Sequence, residues 1–510
     1  AIVGMGPVGS AAAILFAHAG LKVAIFERDK EVYALPRAVG MDGEIVRGFQ
    51  RIGLGDNLAG LLQKIRPGDR AGFANSKREW LFGNEFVEFG ANGWQPLSMF
   101  DQPEVDGYLR NTAINHPSVT AHIGHEVLGF EQNDEQVDIQ AKNLETDEAY
   151  SITTRYLLAC DGASSSVRKA LDIGWHDLDY DHDWLVIDII IKDGHKLDLD
   201  TVQVCDPDRL ATYVATKDPY RRWEFKLNSG ETWNEMVQPE KIYELVDPWT
   251  PRDTYELRRA AVYQFHAATA DTWRVGRVLL AGDAAHQTPP FLGQGMNAGM
   301  RDVINLAWKF PLILSGEADE SLLDTYQAER GAHATDLVEW AVAIGKLMEH
   351  MAAVELAQRE GREPPKTPPA MQSSGYGQGR ENPPIRDGAV IIEQVSNEGS
   401  TGYLFSQPIV QDADGNSFRL DERLGSGFAI VARTAADLSM NAASQTLVDK
   451  LGIATATLEG LTEQQGHFDR LFESASAVIV RPDRYVFGHT SDDLNLDDLL
   501  GQLGQKLSLR

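Results

Sequence analysis

A chain of 510 residues, 43% hydrophobic and 24% charged, has the composition of an ordinary globular protein and the length for roughly two to four domains. Its 75 acidic residues outnumber 47 basic ones for a net charge of −28, which argues against nucleic acid and anionic membrane as partners because both need a basic footprint. No run of about 18 uncharged apolar residues and no secretory leader is visible, and the two cysteines, Cys160 and Cys205, form neither C-x-x-C nor a metal-ligand spacing. Low cysteine use fits a reducing cytosol, and both thiols read as small apolar strand residues rather than nucleophiles.

The elements begin at once. Ile2-Val3 predicts the end of a buried strand and Ser10 to His18 an alanine-rich helix. Between them Gly4, Gly6 and Gly9 stand at G-x-G-x-x-G spacing, with Pro7 and Val8 inside the turn. Gly4 permits the tight turn, Gly6 lets backbone approach a pyrophosphate, and Gly9 lets helix and strand pack closely. The helix N-terminus offers free N–H groups and a positive dipole end to phosphates. Leu21 to Phe26 predicts a second apolar strand, with Glu27 and Arg28 at its carboxyl end. A carboxylate there accepts hydrogen bonds from ribose hydroxyls and repels a 2′-phosphate. This segment predicts dinucleotide binding without separating NAD from FAD; the bland alternative is a structural strand–helix turn. The chain opens inside its first strand, so a few residues are expected upstream.

Strand and helix signals alternate to about residue 170, where Leu157 to Cys160 predicts a strand ending in Asp161-Gly162. From about 175 to 270 the character changes: Trp184 to Ile191 and Trp223 to Leu227 predict strands without long helices between them, which suggests an inserted β-sheet. Val278 to Ala281 returns to a buried strand. It leads into Gly282-Asp283-Ala284-Ala285-His286, then Pro289-Pro290, then Gly293-Gln294-Gly295-Met296-Asn297. Asn297 to Leu314 predicts a helix, and His333 to Gln358 a longer one. Residues 361 to 388, rich in Pro, Gly, Ser and Gln, predict a linker or wrapping segment. A tail from 390 to 510 has its own strands, Phe428 to Val431 and Ala477 to Val480 the clearest.

A cofactor that needs both glycine segments must be long, and FAD fits. The first segment holds only the adenosine and pyrophosphate. Asp283, at the end of a buried strand, is placed to accept bonds from ribityl hydroxyls. The N–H groups of Gly293 to Asn297, opening a helix, would face the flavin pyrimidine edge and stabilise negative charge on the reduced ring. The alternative is a glycine-rich loop ahead of a capped helix.

Seven further stretches carry a resemblance. They are Pro36-Arg37-Ala38-Val39-Gly40, Gln102-Pro103-Glu104-Val105-Asp106, Cys160 to Arg168, Cys205-Asp206-Pro207, Arg221-Arg222-Trp223-Glu224-Phe225, Arg277 to His286, and Gly299 to Lys309. On these the chain resembles the group A flavoprotein aromatic hydroxylases, the family of p-hydroxybenzoate hydroxylase and phenol hydroxylase, with 3-(3-hydroxyphenyl)propionate hydroxylases the nearest likeness. The likeness covers about residues 1 to 345. The tail resembles that family's thioredoxin-like carboxyl domain but lacks C-x-x-C, so no redox role follows. The implied fold is α/β: a discontinuous Rossmann-like FAD domain over 1–174 and 275–345, an inserted β-sheet substrate domain over 175–274, a helix and linker over 346–389, and a thioredoxin-like domain over 390–510. The implied cofactors are FAD and NAD(P)H, with no separate Rossmann motif for the nicotinamide and no metal. The implied partners are a small phenol and O2, in the cytoplasm, with a homodimer not distinguished from a monomer.

Position by position, the resemblance implies that Gly4, Gly6, Gly9 and Glu27 hold the ADP half. Arg37 and Gln102 lie along the FAD, Asp161 and Gly162 match a second fingerprint, and Asp283 binds the ribityl chain. Pro289, Gly295, Met296 and Asn297 border the isoalloxazine. The implied reaction reduces FAD with NAD(P)H, forms a flavin C4a-hydroperoxide with O2, and transfers one oxygen to a phenol ring. A base within hydrogen-bond reach of the substrate hydroxyl is then expected. Asp42 is the leading candidate, standing where phenol hydroxylases carry an aspartate near the substrate; the alternative is a helix N-cap ahead of Glu44-Ile45-Val46. His266 and Tyr263, in strands of the inserted sheet, are candidates to line the pocket or ordinary half-buried strand residues. His286 is expected to pack or bond backbone. Arg221 and Arg222 match a substrate carboxylate, since arginine forks suit carboxylates, or sit on a solvated strand face, and Pro290 is placed on the substrate side. Competing functions are a flavin reductase or halogenase of the same fold, although no W-x-W-x-I-P segment is present, and a non-catalytic flavin-binding protein.

Overall fold

Three distant pieces of chain meet in one parallel sheet. In the computed structural model, which describes residues 1–367, 382–396, 400–463, 466–468, 472 and 475–510, the strand Ile2–Val3 lies between Val23–Glu27 and Leu157–Ala159. Val119–Ile123 forms one edge, and Val278–Leu280 followed by Arg274–Val275 the other. Register sets Val3 against Phe26 and Ala159, and Ala159 against Leu280. The central strands Ile2–Val3, Leu157–Ala159 and Val278–Leu280 are unbroken apolar runs, the pattern of a parallel sheet covered on both faces, and Leu157, Val278, Leu279 and Leu280 are fully buried; the edge strand Arg274–Val275 pairs antiparallel. The parallel register brings Gly4, Asp161 and Gly282 to the same end of the sheet. The helix Pro7–His18 packs on this sheet against the helices Gln102–Ile114 and Gly295–Leu314.

A second, seven-stranded sheet runs in the order Tyr255–Phe265, His182–Ile191, Tyr220–Lys226, Ala211–Val214, Thr201–Val204, Arg70–Ala74, Trp80–Glu85. Its last two strands come from ahead of residue 175, because Arg70–Ala74 pairs parallel with Thr201–Val204. A boundary at 175 does not capture them, since Gly72 and Gly83 break their apolar pattern. A Cβ at Gly72 would stand 2.2 Å from the Phe82 carbonyl oxygen, so the hairpin needs its glycines. Alternation divides the faces. Leu185, Ile187, Tyr213, Trp223 and Phe225 build one core with Ile242 and Val246 of the helix Pro239–Val246, and the residues between them turn the other way.

The helix Asp324–Arg359 starts before the predicted His333 and runs unbroken past residue 345, so no element boundary lies at 345. Part of the Pro/Gly-rich stretch expected over 361–388 falls outside the described residues. In the tail, Ala429–Ala432 pairs parallel with Ala454–Thr457 and antiparallel with Ala477–Val480, which pairs with Val486–His489. The helices Ala442–Leu451 and Leu496–Lys506 complete a thioredoxin-like domain.

That domain is joined to the first by buried ion pairs rather than by apolar packing alone. Asp421 bridges Arg47 (2.8 Å) and Arg484 (2.9 Å). Arg481 binds Glu329 (2.7 Å) and Asp483 (2.6 Å), and Glu329 also meets Lys309 at 3.0 Å. Trp308 packs edge-on against Phe428 with ring centroids 5.5 Å apart.

Candidate active site

One cavity of about 2130 Å³ runs from the glycine turn of the first sheet to the inward face of the second. Small-molecule sites usually occupy roughly 300–1,000 Å³, so this volume suits a large cofactor and a second ligand together. Gly4, Gly6, Pro7, Val8, Glu27, Arg28, Arg37, Gln102, Asp161, Gly162, Asp283, Gly293, Gly295 and Met296 all line it.

The residues present fit FAD on three observations. At Gly6, Gly293 and Gly295 an added Cβ would meet no protein atom within 4 Å, so the space in front of these backbones belongs to the cavity. Gly293, at φ +62°, turns the chain ahead of the helix Gly295–Leu314. The N-termini of that helix and of Pro7–His18 both open on the cavity, and two positive dipole ends suit phosphate at one and an electron-rich ring at the other. Asp283 is exposed on the surface of the cavity. Burial in the surrounding protein pushes its carboxyl above the ordinary value. Among the described residues it forms no hydrogen bond, which leaves it free for hydroxyl donors.

Other residues act by holding these. Gly9 lies behind the cavity, where a Cβ would stand 2.0 Å from the Gly4 oxygen, so it sets how closely helix and strand approach. Glu27 accepts from the N–H groups of Met5 (2.7 Å) and Asp29 (2.8 Å), which aims its remaining lone pairs at the cavity. Gln102 accepts from the N–H groups of Arg37 (2.6 Å) and Ala38 (2.7 Å) and donates to Asp106 (3.1 Å). Burial pushes the Asp106 carboxyl up to about 7, and its Oδ1 is buried without a hydrogen-bond partner. Asp161 accepts from the N–H groups of Ser166 (2.8 Å) and Val167 (3.2 Å), starting the helix Ser166–Ala170.

Several expected site residues stand elsewhere. Asp42 lines the cavity, but its Oδ2 accepts from Arg301 (2.5 Å) and Gln294 (3.0 Å). Through Arg301 and Gln294 this carboxylate anchors the 293–295 turn. Asn297 lies behind the lining; it accepts from the Asp42 N–H (3.1 Å) and donates to the carbonyls of Gly40 (3.1 Å) and Gly293 (2.8 Å). Gly282 and Pro289 are buried behind the wall; the Gly282 N–H donates to Asp302 at 3.0 Å. His286 is also buried there, its Nε2 2.8 Å from Asp302 and its ring stacked on Trp273. His266 is exposed and paired with Asp181 at 2.5 Å, away from the cavity. Tyr263, half-buried, accepts from Arg259 (3.3 Å) and does not line it either.

The two arginines divide by strand alternation. Arg221 turns away from the cavity, giving its donors to Asp218 (2.7 Å) and the Tyr220 carbonyl (2.6 Å). Arg222 lines the cavity with four of its five N–H groups committed, to Asp188 (2.7 and 3.2 Å) and the carbonyls of Pro36 (2.8 Å) and Arg37 (2.6 Å). It ties the second sheet to the loop carrying Arg37, and its one remaining N–H is on Nη1, 4.0 Å from Glu224. Both are buried, so neither sits on a solvated face. Pro290 lines the cavity with Phe291 and Leu292.

Comparison with known proteins agrees with this architecture. Residues 1–341 match the FAD binding domain family, and residues 402–506 match the HcaD C-terminal domain. The chain is 33% identical to a probable NADH-specific resorcinol 4-hydroxylase of Rhodococcus jostii (strain RHA1), over 99% of this chain and 94% of the relative. It is 30% identical to a 3-(3-hydroxy-phenyl)propionate/3-hydroxycinnamic acid hydroxylase of Escherichia coli (strain SMS-3-5 / SECEC), over 100% of this chain and 94% of that one. Aklavinone-11 hydroxylase, solved with FAD and aklavinone, shares the fold at a TM-score of 0.79 and 24% identity, covering 99% of this chain and 98% of that one.

Proposed function

The chain belongs to the flavoprotein aromatic hydroxylases built on the FAD binding domain, and from that premise we propose that it hydroxylates a small phenol in the breakdown of aromatic compounds. Its ring substrate is resorcinol-like or 3-(3-hydroxyphenyl)propionate-like, its co-substrates are NAD(P)H and O2, and it works in the cytoplasm. One observation carries the reading: a single cavity joins the cofactor-shaped cradle at Gly6, Asp283 and Gly295 to a walled space under the second sheet. Bound FAD supplies the redox and oxygen chemistry, taking electrons from the nicotinamide and delivering one atom of O2 to the ring.

This chain's residues bind, orient and exclude water. Gly4, Gly6 and Glu27 would hold the adenosine and pyrophosphate, and Asp283 the ribityl hydroxyls. The N–H groups at Gly293 to Met296 would face the ring system. Arg301, paired with Asp42 and Glu44 (2.7 Å), keeps that turn in place. Phe291, Leu292, Trp340 and Ile344 present apolar surface to the substrate end, which keeps water from the reactive oxygen. The test is direct. The purified protein should be yellow with oxidised flavin, and a phenol should stimulate NAD(P)H oxidation with a product one oxygen heavier. The relative's name makes NADH the first reductant to try. A colourless protein that FAD cannot reconstitute, or oxidation that no phenol stimulates, would sink the reading.

A further inference from the structure

Strand register lays out the substrate end of the cavity as two adjacent rows across the second sheet. One row runs Phe73, Gln203, Thr212, Glu224, from Gln203 opposite Phe73, Thr212 opposite Gln203, and Glu224 opposite Thr212. The next runs Val214, Arg222, Asp188, Arg259. All four members of the first row line the cavity, with Val214 and Arg222 of the second.

The second row is closed. Asp188 stands between Arg222 at 2.7 Å and Arg259 at 3.0 Å, and Arg222 gives two further N–H groups to backbone, leaving one on the Nη1 that faces Glu224. The first row is open. Thr212 donates to Gln203 Oε1 at 2.5 Å, which turns the Gln203 amide N–H groups outward to seek another acceptor. Glu224 is 4% exposed. Among the described residues it accepts no hydrogen bond, and its counter-charge, Arg222 Nη1, stands 4.0 Å away. Burial raises its carboxyl above the ordinary range. A buried carboxylate without donors is costly unless something supplies them, and the cavity is where a donor can come from.

We propose that Glu224 is a specificity-determining residue that accepts a hydroxyl of the substrate ring, so that this enzyme takes an uncharged, resorcinol-type dihydroxybenzene in preference to a phenol bearing a carboxylate. The proposal rests on the phenol hydroxylase reading above. Two charges argue the preference. A ring hydroxyl gives Glu224 the charge-assisted hydrogen bond it lacks, and gains electron density for attack at the ring. An anionic side chain would instead meet Glu224 as a like charge. The one uncommitted Arg222 N–H is on the Nη1 that already faces Glu224 at 4.0 Å, and Arg259 does not line the cavity, so this sheet face offers a substrate carboxylate no independent cation. The other arginines lining the cavity, Arg28, Arg37 and Arg110, belong to the first sheet and its loops.

The test uses FAD-loaded full-length protein, with resorcinol and 3-(3-hydroxyphenyl)propionate as probes. Binding is read from the perturbation of the flavin spectrum and turnover from NADH oxidation with product mass. Wild type should favour resorcinol in both Kd and kcat/KM by about ten- to a hundred-fold, the weight of one charge-assisted hydrogen bond. Glu224→Gln should weaken resorcinol binding about ten-fold, leave flavin content unchanged, and bind the phenylpropionate more tightly than wild type. Equal or better use of the phenylpropionate by wild type overturns the proposal while leaving the hydroxylase reading intact. So does an unchanged resorcinol Kd in Glu224→Gln. The wild-type comparison needs no variant, so a Glu224→Gln protein that fails to fold does not remove the test. If neither these probes nor any other phenol perturbs the flavin or stimulates oxidation, both the proposal and the hydroxylase reading fall.

Discussion

Asp42 shows how a plausible base becomes a structural group once its neighbours are known. Its carboxylate faces the cavity but is held by Arg301 and Gln294, and Arg301 keeps Glu44 as a second partner. We therefore expect Asp42→Asn to lower unfolding free energy by about 1–3 kcal/mol while product formed per bound flavin stays near wild type. Denaturant melts and coupled turnover check this together. A large loss of hydroxylation at unchanged stability would return Asp42 to the mechanism. The reason sequence reasoning preferred Asp42 is that Arg301 and Gln294 lie more than two hundred residues away, so no local pattern reports the pair. Glu224 was closer to hand. It stands two residues after Arg222 in one strand, and period-two alternation puts both on the same face. Its significance still depended on seeing how Asp188 and the Pro36–Arg37 loop commit most of the Arg222 donors.

At the scale of elements, the helix Gly295–Leu314 is latched rather than simply packed. Asn297 spans three backbone groups, drawing the strand Gly40–Asp42 onto the first turn of the helix. Asn297→Ala leaves those groups without partners, at about 1–3 kcal/mol. The expected signature is weaker flavin retention on gel filtration and faster hydrogen exchange at 40–42 and 293–295. Exchange that changes nowhere in these segments would show the latch to be idle. The glycine turns flanking the two cavity-facing helices were legible because strand, turn and helix are consecutive. The hairpin 70–85 was not, because its partner strand Thr201–Val204 is distant in sequence and pairs parallel.

The whole molecule is tied together by charge. Burial alone would raise the Glu329 carboxyl, but Arg481 and Lys309 beside it hold it down at about 2, against an ordinary 4.5. A depressed folded value contributes stability that is fully present above the unfolded value and is lost as pH falls through the folded one. The stability gap between wild type and Glu329→Gln should therefore be constant between about pH 5 and 7, below the value of about 8 to which burial lowers Lys309, and shrink between about 4.5 and 2. At neutral pH the gap should be about 3–5 kcal/mol, the usual cost of breaking a buried pair. Urea titrations at several pH values measure it, and a gap independent of pH would show that Glu329 does not titrate with unfolding. With no C-x-x-C in the tail, these ion pairs define its physical part in the molecule: it braces Arg47, Glu329 and Trp308 of the first domain.

The convergence of Gly4, Asp161 and Gly282 at one end of a sheet also has a consequence in time. A nascent chain emerging from the ribosome carries the glycine turn first, but the strand Val278–Leu280 and the turn with Asp283 after it are made about 270 residues later. The turn alone offers phosphate contacts without walls, and the non-local strand pairing that completes them closes slowly. The complete cradle therefore exists only in a chain whose first sheet has closed, because the glycine turn by itself lacks the wall that Asp161 and Asp283 supply.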